Sequence, residues 1–177
     1  MATLDGDLQK GTNYVRSAIP LLGISILIIC LDQLTKIVVA QHIDYYNGQK
    51  IVVIEGFFNL RHDRNSGAAF SLMQGQRTLL IVATILAMIF IAYYYFQFRH
   101  SLWMRVGLGF ILGGAIGNLI DRIRYGEVID FLQFGILPKY KWPTFNLADT
   151  AICIGAAMLI IYTTRTRKLN FEETFEN

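Results

Sequence analysis

Two aspartates near the ends of apolar segments are the residues whose chemistry suggests a reaction. Asp130 lies within the apolar stretch 128–132, and Asp149 lies at the start of the last apolar segment. Two carboxylates about 3 Å apart share one proton, because both cannot ionise easily. The charged one can then take a proton from water while the neutral one donates a proton to a peptide carbonyl. The pair therefore predicts peptide hydrolysis of the aspartic type, if the fold brings the side chains together.

Each aspartate also has a structural interpretation. Asp130 could be an ordinary loop carboxylate. Asn146 is a natural N-cap, and Asp149, three residues later, would lie at the positive end of a helix dipole. Capping and catalysis are compatible roles, so both interpretations stay open for Asp149.

Other reactions have less support from the spacing of their residues. Ser25 and Lys36 are eleven residues apart on one helix, or roughly 16 Å along its axis, which is too far for a Ser–Lys pair. Ser66 or Ser71 paired with Lys36 stays open, although no spacing supports it. The three histidines are scattered and form no metal motif. We expect no cofactor and no metal, with a carboxylate-bound divalent cation as the open alternative.

Polar side chains also occur inside the apolar segments, where lipid cannot solvate them and each one suggests a function. Asp32 and Lys36 lie four residues apart, on one face of a helix. They either form an ion pair that anchors the helix end at the interface or support a site. Asn118, Asp121 and Arg122 share a polar face in the third segment. That face has no simple structural purpose, so we interpret it as part of a site.

Small residues occur in the third apolar segment and in a polar segment that contains Asn65. Gly109, Gly113 and Gly117 are spaced by four, a pattern that lets another helix pack closely, and we predict that they are structural. Asn65 and Gly67 lie in a polar segment, where Asn tolerates turn geometry and Gly permits close backbone approach. Taken alone, that segment is best explained as a simple turn before a strand.

The chain is predicted to be a single integral membrane domain of 177 residues. Its hydrophobic share of 54% exceeds the roughly 45–50% that is typical of soluble domains. A membrane span needs about 20 residues. Four apolar segments meet this length approximately, at about 18–40, 79–98, 102–121 and 147–165, and a loose polar cytoplasmic tail precedes them at 1–17.

The connection between the first two spans contains two runs that are typical of short strands, Lys50-Ile51-Val52-Val53-Ile54 and Phe57-Phe58-Asn59-Leu60. We therefore predict an all-α membrane protein with four transmembrane helices and a small extracytoplasmic β-sheet between helices 1 and 2. The density of positive residues in the short flanking segments favours cytoplasmic termini. The formal net charge of +3 gives no reason to expect nucleic acid binding.

In their order along the chain, these clusters resemble the lipoprotein signal peptidase family, also called signal peptidase II. The resemblance extends from about Gly23 to Arg165, and any one of its motifs would be weak alone. The motifs are Asp32-Gln33-x-Thr35-Lys36, Asn65-x-Gly67-Ala68-Ala69-Phe70, Gly113-Gly114-Ala115-x-Gly117-Asn118-x-x-Asp121-Arg122, Gly126-x-Val128-x-Asp130-Phe131 and Phe145-Asn146-x-Ala148-Asp149. Ser66 is a departure from the pattern, since Thr is common at that position.

The resemblance implies an aspartic endopeptidase with Asp130 and Asp149 as its catalytic pair. Gly67 is expected to pass close to the substrate backbone. The resemblance also implies that seven further residues support or contact the site, namely Asp32, Lys36, Asn65, Asn118, Asp121, Arg122 and Asn146.

The implied substrate is a prolipoprotein whose cysteine carries a diacylglyceryl group, with the cut just before that cysteine. Globomycin-type cyclic peptides are the implied inhibitors. The implied location is the bacterial inner membrane, among membrane lipids, with cytoplasmic termini and the site near the periplasmic face.

Two other classes of protein stay open. A small transporter or channel subunit would use its aspartates to relay protons or cations, but it should show paired, broken helices at mid-membrane depth. The carboxylates here lie near the span ends, which disfavours that class. A purely structural bundle held together by its glycine face would tolerate the loss of Asp130 with little effect.

Overall fold

The computed structural model describes residues 2–67, 73–137 and 140–175, and these contain four α-helices and four β-strands. In chain order the elements are α1 (Ala2–His42), β1 (Lys50–Ile54), β2 (Phe58–Asn65), α2 (Arg77–Phe98), α3 (Leu102–Tyr125), β3 (Val128–Leu137), β4 (Tyr140–Lys141) and α4 (Leu147–Phe175).

Within the described residues, four helical stretches are long and apolar enough to cross a membrane. They are Arg16–His42, Arg77–Phe98, Leu102–Tyr125 and Leu147–Thr166. The predicted architecture of four transmembrane helices is therefore confirmed, and the chain is a multi-pass membrane protein.

The first helix begins earlier than the sequence suggested. Residues 2–17 belong to α1, so the prediction of a loose tail before residue 18 is wrong. Once the apolar part of a helix has formed, each added residue gains a backbone hydrogen bond without a new nucleation cost. The polar composition of residues 2–17 therefore predicts where the apolar part of α1 begins, but it does not predict where the helical backbone begins.

The central helix of the bundle is α3, which packs against α1 on one face and α4 on another. At Gly113 the two backbones approach so closely that a Cβ would lie 2.9 Å from the carbonyl oxygen of Ser25 in α1. On the other face, Gly114 lies directly against the carbonyl oxygen of Ala148 in α4. The predicted role of the glycine pattern in close helix packing is confirmed, and it brings α1 and the start of α4 together around α3.

The sheet has the strand order β1-β2-β3-β4, with antiparallel neighbours. Strands β1 and β2 lie between helices 1 and 2, so the sheet predicted there is confirmed. Strands β3 and β4 come from the connection between α3 and α4, where no strands were predicted. Residues 128–131 of β3 are all buried, so β3 lacks the alternation of apolar and polar residues that marks a half-exposed strand.

The third strand connects the two parts of the chain that carry the candidate aspartates. In the β2–β3 pair, Asn65 lies opposite Val128, two residues from Asp130. Along the other edge of β3, the backbone N–H of Leu132 donates to the carbonyl of Phe145, at 2.8 Å. Because Phe145 lies two residues before the start of α4, backbone hydrogen bonds tie that start to the strand of Asp130.

An apolar cluster fixes the sheet to the end of α1. Val39 of α1 and Ile43, the residue that follows the helix, are buried against Ile129 and Phe131, the two neighbours of Asp130. Side chains in such a cluster are close-packed, so they leave little freedom to the strand that they hold. The backbone that carries Asp130 is therefore held by packing on both sides of the carboxylate.

Candidate active site

Asp130 is buried in the sheet, with 2% of its surface exposed. Its two carboxylate oxygens each accept a hydrogen bond from an asparagine side chain. The Nδ2 of Asn146 donates to Oδ1 at 2.7 Å, and the Nδ2 of Asn65 donates to Oδ2 at 3.0 Å. Burial, together with the neighbouring charge of Asp149, raises the pKa of Asp130 to about 7. This carboxyl group therefore holds a proton at a pH where an ordinary aspartate is ionised.

Asp149 lies in the first turn of α4 and is partly buried. The Nδ2 of Asn118 donates to its Oδ1 at 2.8 Å, and the backbone N–H of Asn146 donates to its Oδ2 at 3.3 Å. In return, the Oδ1 of Asn146 accepts the backbone N–H of Asp149 at 2.9 Å. This reciprocal pair is a capping box. The helix terminus therefore holds the carboxylate at the positive end of its dipole.

Two asparagines connect the aspartates. The Nδ2 of Asn146 donates to the Oδ1 of Asn118 at 3.1 Å as well as to Asp130. A continuous hydrogen-bonded chain therefore runs from Asp130 through Asn146 and Asn118 to Asp149. Both asparagines are buried, and buried amides with satisfied partners hold their neighbours in fixed orientations.

A buried ion cluster lies beside this chain. The ammonium of Lys36 lies 2.8 Å from Asp32 Oδ2 and 2.9 Å from Asp121 Oδ2, and it donates to Asn118 Oδ1 at 3.1 Å. The three charged residues have exposed fractions of 2% or less. The ion pair Asp32–Lys36 that one interpretation predicted is therefore present, and it is buried in the core beside the candidate site. Among the described residues, the Lys36 amine contacts two carboxylates and one amide, and these contacts include no serine hydroxyl of the kind that a Ser–Lys pair needs.

Arg122 connects the turn after β2 to the site. Its Nη2 donates to the carbonyl of Gly67 at 3.1 Å, and Gly67 donates its own N–H to Asn65 Oδ1 at 2.9 Å. The guanidinium charge interacts with the carboxylates of Asp149 and Asp130. Three further residues of the second sequence motif, Ala68, Ala69 and Phe70, lie outside the described residues, as does Ser71.

The fold thus brings all ten predicted site residues into one connected network at one end of the bundle. A further side chain joins that network, although it was not predicted as a site residue. Gln33 donates from its Nε2 to Asp121 Oδ1 at 3.0 Å, to the carbonyl of Gly117 at 3.2 Å and to Asp32 Oδ2 at 3.3 Å. Its place in the first motif, beside Asp32, was the available signal.

Metal chemistry has no ready ligand set in the part of the chain that the structure describes. No group of three or more His, Cys, Asp or Glu side chains there could hold a metal ion. The candidate aspartates instead have amide groups as their neighbours, which orient carboxylates for proton transfer.

Comparison with known proteins identifies the family. The sequence profile of the family described as "Signal peptidase (SPase) II" matches residues 24–165. The chain belongs to the signal peptidase II family. The matched range contains both aspartates and every other residue of the network, so the signal peptidase II assignment and the local geometry concern the same part of the molecule.

Individual relatives agree with this assignment. The chain is 42% identical over 144 residues to the lipoprotein signal peptidase of Halothermothrix orenii, which covers 81% of this chain and 94% of the relative. It is 45% identical over 141 residues to the lipoprotein signal peptidase of Syntrophus aciditrophicus, and this match covers 76% of this chain and 86% of the relative. A solved structure described as a bacterial membrane enzyme superposes with a TM-score of 0.74 at 32% identity, covering 88% of each chain. The signal peptidase II fold is therefore shared with an enzyme of known structure.

Proposed function

We propose that this chain removes the signal peptide from diacylglyceryl-modified prolipoproteins and cuts just before the lipidated cysteine, with Asp130 and Asp149 as its catalytic pair. Membership of the signal peptidase II family, whose members are membrane aspartic proteases that process prolipoproteins, supports the reaction class. The observation that carries the assignment of the pair is the hydrogen-bonded chain through Asn146 and Asn118, which joins the two carboxylates.

The two carboxylates have different surroundings, which favours different protonation states. Burial and the charge of Asp149 raise the pKa of Asp130 to about 7. Asp149 lies in the first turn of α4, where the helix dipole favours a negative charge. We therefore assign the shared proton to Asp130 in the resting enzyme and the negative charge to Asp149.

The reaction then needs no covalent intermediate. Asp149 takes a proton from a water molecule, whose oxygen attacks the carbonyl carbon of the scissile peptide bond. Asp130 donates its proton to the carbonyl oxygen, which gives a tetrahedral diol. The diol collapses as the C–N bond breaks, and the leaving amine of the cysteine receives the proton that Asp149 took from water. The second hydroxyl proton returns to Asp130 as the new carboxyl group forms.

Arg122, Asn65 and Gly67 are proposed to contact the substrate peptide beside the aspartates. Arg122 holds the carbonyl of Gly67, and Gly67 in turn is held by Asn65, which also contacts Asp130. This turn therefore keeps a fixed position relative to the carboxylates. Gly67 has no side chain, so a peptide backbone can approach it closely.

The membrane arrangement is part of the proposal. Seven of the ten site residues lie toward the ends of α1 and α3 or at the start of α4, and Asn65, Gly67 and Asp130 lie in or next to the sheet, so the site is on the side of the bundle that carries the sheet. We propose that this side faces the periplasm and that both termini are cytoplasmic, in a bacterial inner membrane. A reporter that fluoresces only in the cytoplasm, fused after Asn177, should fluoresce, whereas alkaline phosphatase fused there should stay inactive. The reverse result would contradict the orientation.

Globomycin-type cyclic peptides are the proposed inhibitors, and membrane lipids are the proposed surroundings of the substrate's acyl chains. Inhibition should be competitive with the prolipoprotein, since both would bind beside the two aspartates. Inhibition that does not weaken as the substrate concentration rises would contradict a shared site.

The substrate proposal is tested with purified protein in detergent micelles and two matched precursors. One precursor carries the diacylglyceryl group on its cysteine, and the other is identical but unmodified. Mass spectrometry should show a product that begins at the lipidated cysteine, and the unmodified precursor should be cut much more slowly. Equal rates for the two precursors would contradict recognition of the lipid.

A further inference from the structure

The residues that precede the two aspartates are both held by carboxylates of the buried ion cluster. The backbone N–H of Ala148 donates to Asp32 Oδ1 at 3.0 Å, and the backbone N–H of Ile129 donates to Asp121 Oδ2 at 3.2 Å. Ala148 is the neighbour of Asp149, and Ile129 is the neighbour of Asp130. Each cluster carboxylate therefore fixes the backbone of one member of the catalytic pair.

Lys36 joins the two carboxylates. Its ammonium lies 2.8 Å from Asp32 and 2.9 Å from Asp121. We propose that Lys36 is a positioning residue that sets the separation of the catalytic pair. Its ion pairs hold Asp32 and Asp121, and through these carboxylates the backbone of Ala148 and of Ile129, at a fixed distance from each other. This arrangement is called the clamp below. This inference rests on the proposed function, and it assigns to Lys36 a role that acts through other residues without contact with the substrate.

Burial makes this clamp stiff. Asp32, Lys36 and Asp121 have exposed fractions of 0%, 2% and 1%, so water cannot replace any of their contacts. Two carboxylates around one ammonium leave one negative charge in excess, and Gln33 donates to both carboxylates. Loss of the ammonium would leave two buried carboxylates facing each other without a counter-charge. Whether they move apart or share a proton, they lose the cation that fixes their distance from each other. The backbone at Ala148 and at Ile129 would move with them.

The pH profile reports the separation of the pair. Two interacting carboxylates titrate with two apparent pKa values, and the gap between these values grows as the carboxylates approach. The singly protonated pair is the active form, so a closer pair is active over a wider range of pH. If the clamp is lost and the two catalytic carboxylates move apart, the range of pH over which the enzyme is active should become narrower.

A change of charge alone has a different effect. Charged side chains near Asp130 come from four elements, namely Lys36 of α1, Asp63 opposite it in β2, Arg122 of α3 and Asp149 of α4. Asp121 of α3 accepts the N–H of the preceding residue, Ile129. Lys36 acts to lower the pKa of Asp130. Loss of the Lys36 charge alone would therefore move the pH profile of cleavage toward higher pH without narrowing it.

The experiment measures kcat, KM and the pH profile of prolipoprotein cleavage for the wild type, Lys36→Met, Asp121→Asn and Ser25→Ala. Asp121→Asn is the milder variant, because it leaves one ion pair, Asp32–Lys36, without an excess charge. Ser25→Ala is the control. Ser25 is buried between α1 and α3 and donates to the carbonyls of Leu21 and Gly109, away from the site.

We expect Lys36→Met to lower kcat by about 100-fold, the usual effect of misplacing a catalytic group by about 1 Å, with KM changed less than about threefold. Asp121→Asn should lower kcat less, and both variants should have a narrower active pH range. Ser25→Ala should keep the width of the wild-type profile.

Thermal unfolding shows which variants are folded. If Lys36→Met does not fold, the Asp121→Asn variant tests the positioning role of the ion cluster. A folded Asp121→Asn enzyme with the wild-type kcat and profile width would overturn the inference. A narrow profile in Ser25→Ala as well would also overturn it, because any loss of packing would then have the same effect. If the wild type itself does not cut the prolipoprotein, the proposed function fails instead, and the two failures are thus distinguished.

Discussion

Asn146 donates a hydrogen bond to Asp130, with 2.7 Å between Nδ2 and Oδ1. The same side chain accepts the backbone N–H of Asp149 and contacts Asn118, and it is completely buried. A single amide therefore serves as the cap of a helix and as the orienting group for a carboxylate in a neighbouring strand.

Replacing Asn146 with Ala should impair catalysis more than stability. The variant loses the orienting bond to Asp130 and the helix cap, and the lost cap alone costs about 1 kcal/mol of stability. We expect kcat for prolipoprotein cleavage to fall by about 100-fold. The control is Thr150→Val, which removes only a bond from Thr150 Oγ1, in the first turn of α4, to the carbonyl of the cap residue Asn146. Similar rates for the wild type and Asn146→Ala would contradict the orienting role.

The pH dependence of the reaction follows from Asp130. Burial and the charge of Asp149 raise its pKa to about 7, from an ordinary value of 3.8. Asp130 therefore holds its proton below about pH 7 and loses it above that pH, which removes the acid needed for the carbonyl oxygen. We expect kcat/KM to fall about tenfold for each pH unit above about 7. A rate that stays constant from pH 6 to about pH 9 would show that Asp130 is not the acid.

Arg122 should matter through its charge and its contact with Gly67. Arg122→Gln removes the cation that faces the two aspartates and weakens the bond to the Gly67 carbonyl. A hydrogen bond to a charged group contributes about 1.5–3 kcal/mol, so kcat/KM should fall between about tenfold and 100-fold. Arg124→Gln is the matched control, because Arg124 lies over the ring of Tyr125. Equal losses in both variants would indicate a general effect of surface charge.

The contact between α3 and α4 should be intolerant of even one methyl group. In Gly114→Ala the new Cβ would collide with the carbonyl oxygen of Ala148, which is backbone and cannot rotate away. Such overpacking costs about 1–3 kcal/mol, so the melting temperature should fall, and kcat should fall because Asp149 follows Ala148. Gly23→Ala is the control, since a Cβ there meets nothing within 4 Å. A stable, active Gly114→Ala enzyme would contradict the close packing.

The sequence was sufficient to predict what depends on local patterns. Four apolar blocks predict the four spanning helices, and the spacing of Gly109, Gly113 and Gly117 predicts one closely packed face of α3. Asn146 and Asp149, three residues apart, predict a helix cap, and the structure has that cap. Each of these features involves residues near one another in the chain, where periodicity and propensity act directly.

The features that the sequence did not show arise from contacts between distant segments. Strand β3 is buried along the stretch that carries Asp130, so it lacks alternation, and its partners are β2 and the segment before α4. The bond between Asn118 and Asp149 joins residues 31 positions apart. The hydrogen bond from Ala148 to Asp32 spans 116 positions. No spacing rule relates such residues, because the turns and packing of the whole chain bring them together.

The most direct test of the central claim is cleavage of a diacylglyceryl-modified prolipoprotein by purified protein in detergent, for the wild type, Asp130→Asn and Asp149→Asn. Each reaction is run with and without a metal chelator, and thermal unfolding confirms that the variants are folded. We predict that the wild type cuts at the same rate with the chelator and that both folded variants lose at least about 1,000-fold in kcat, as expected when a catalytic residue is removed. A folded variant that still cuts at the wild-type rate would contradict the assignment of Asp130 and Asp149 as the catalytic pair.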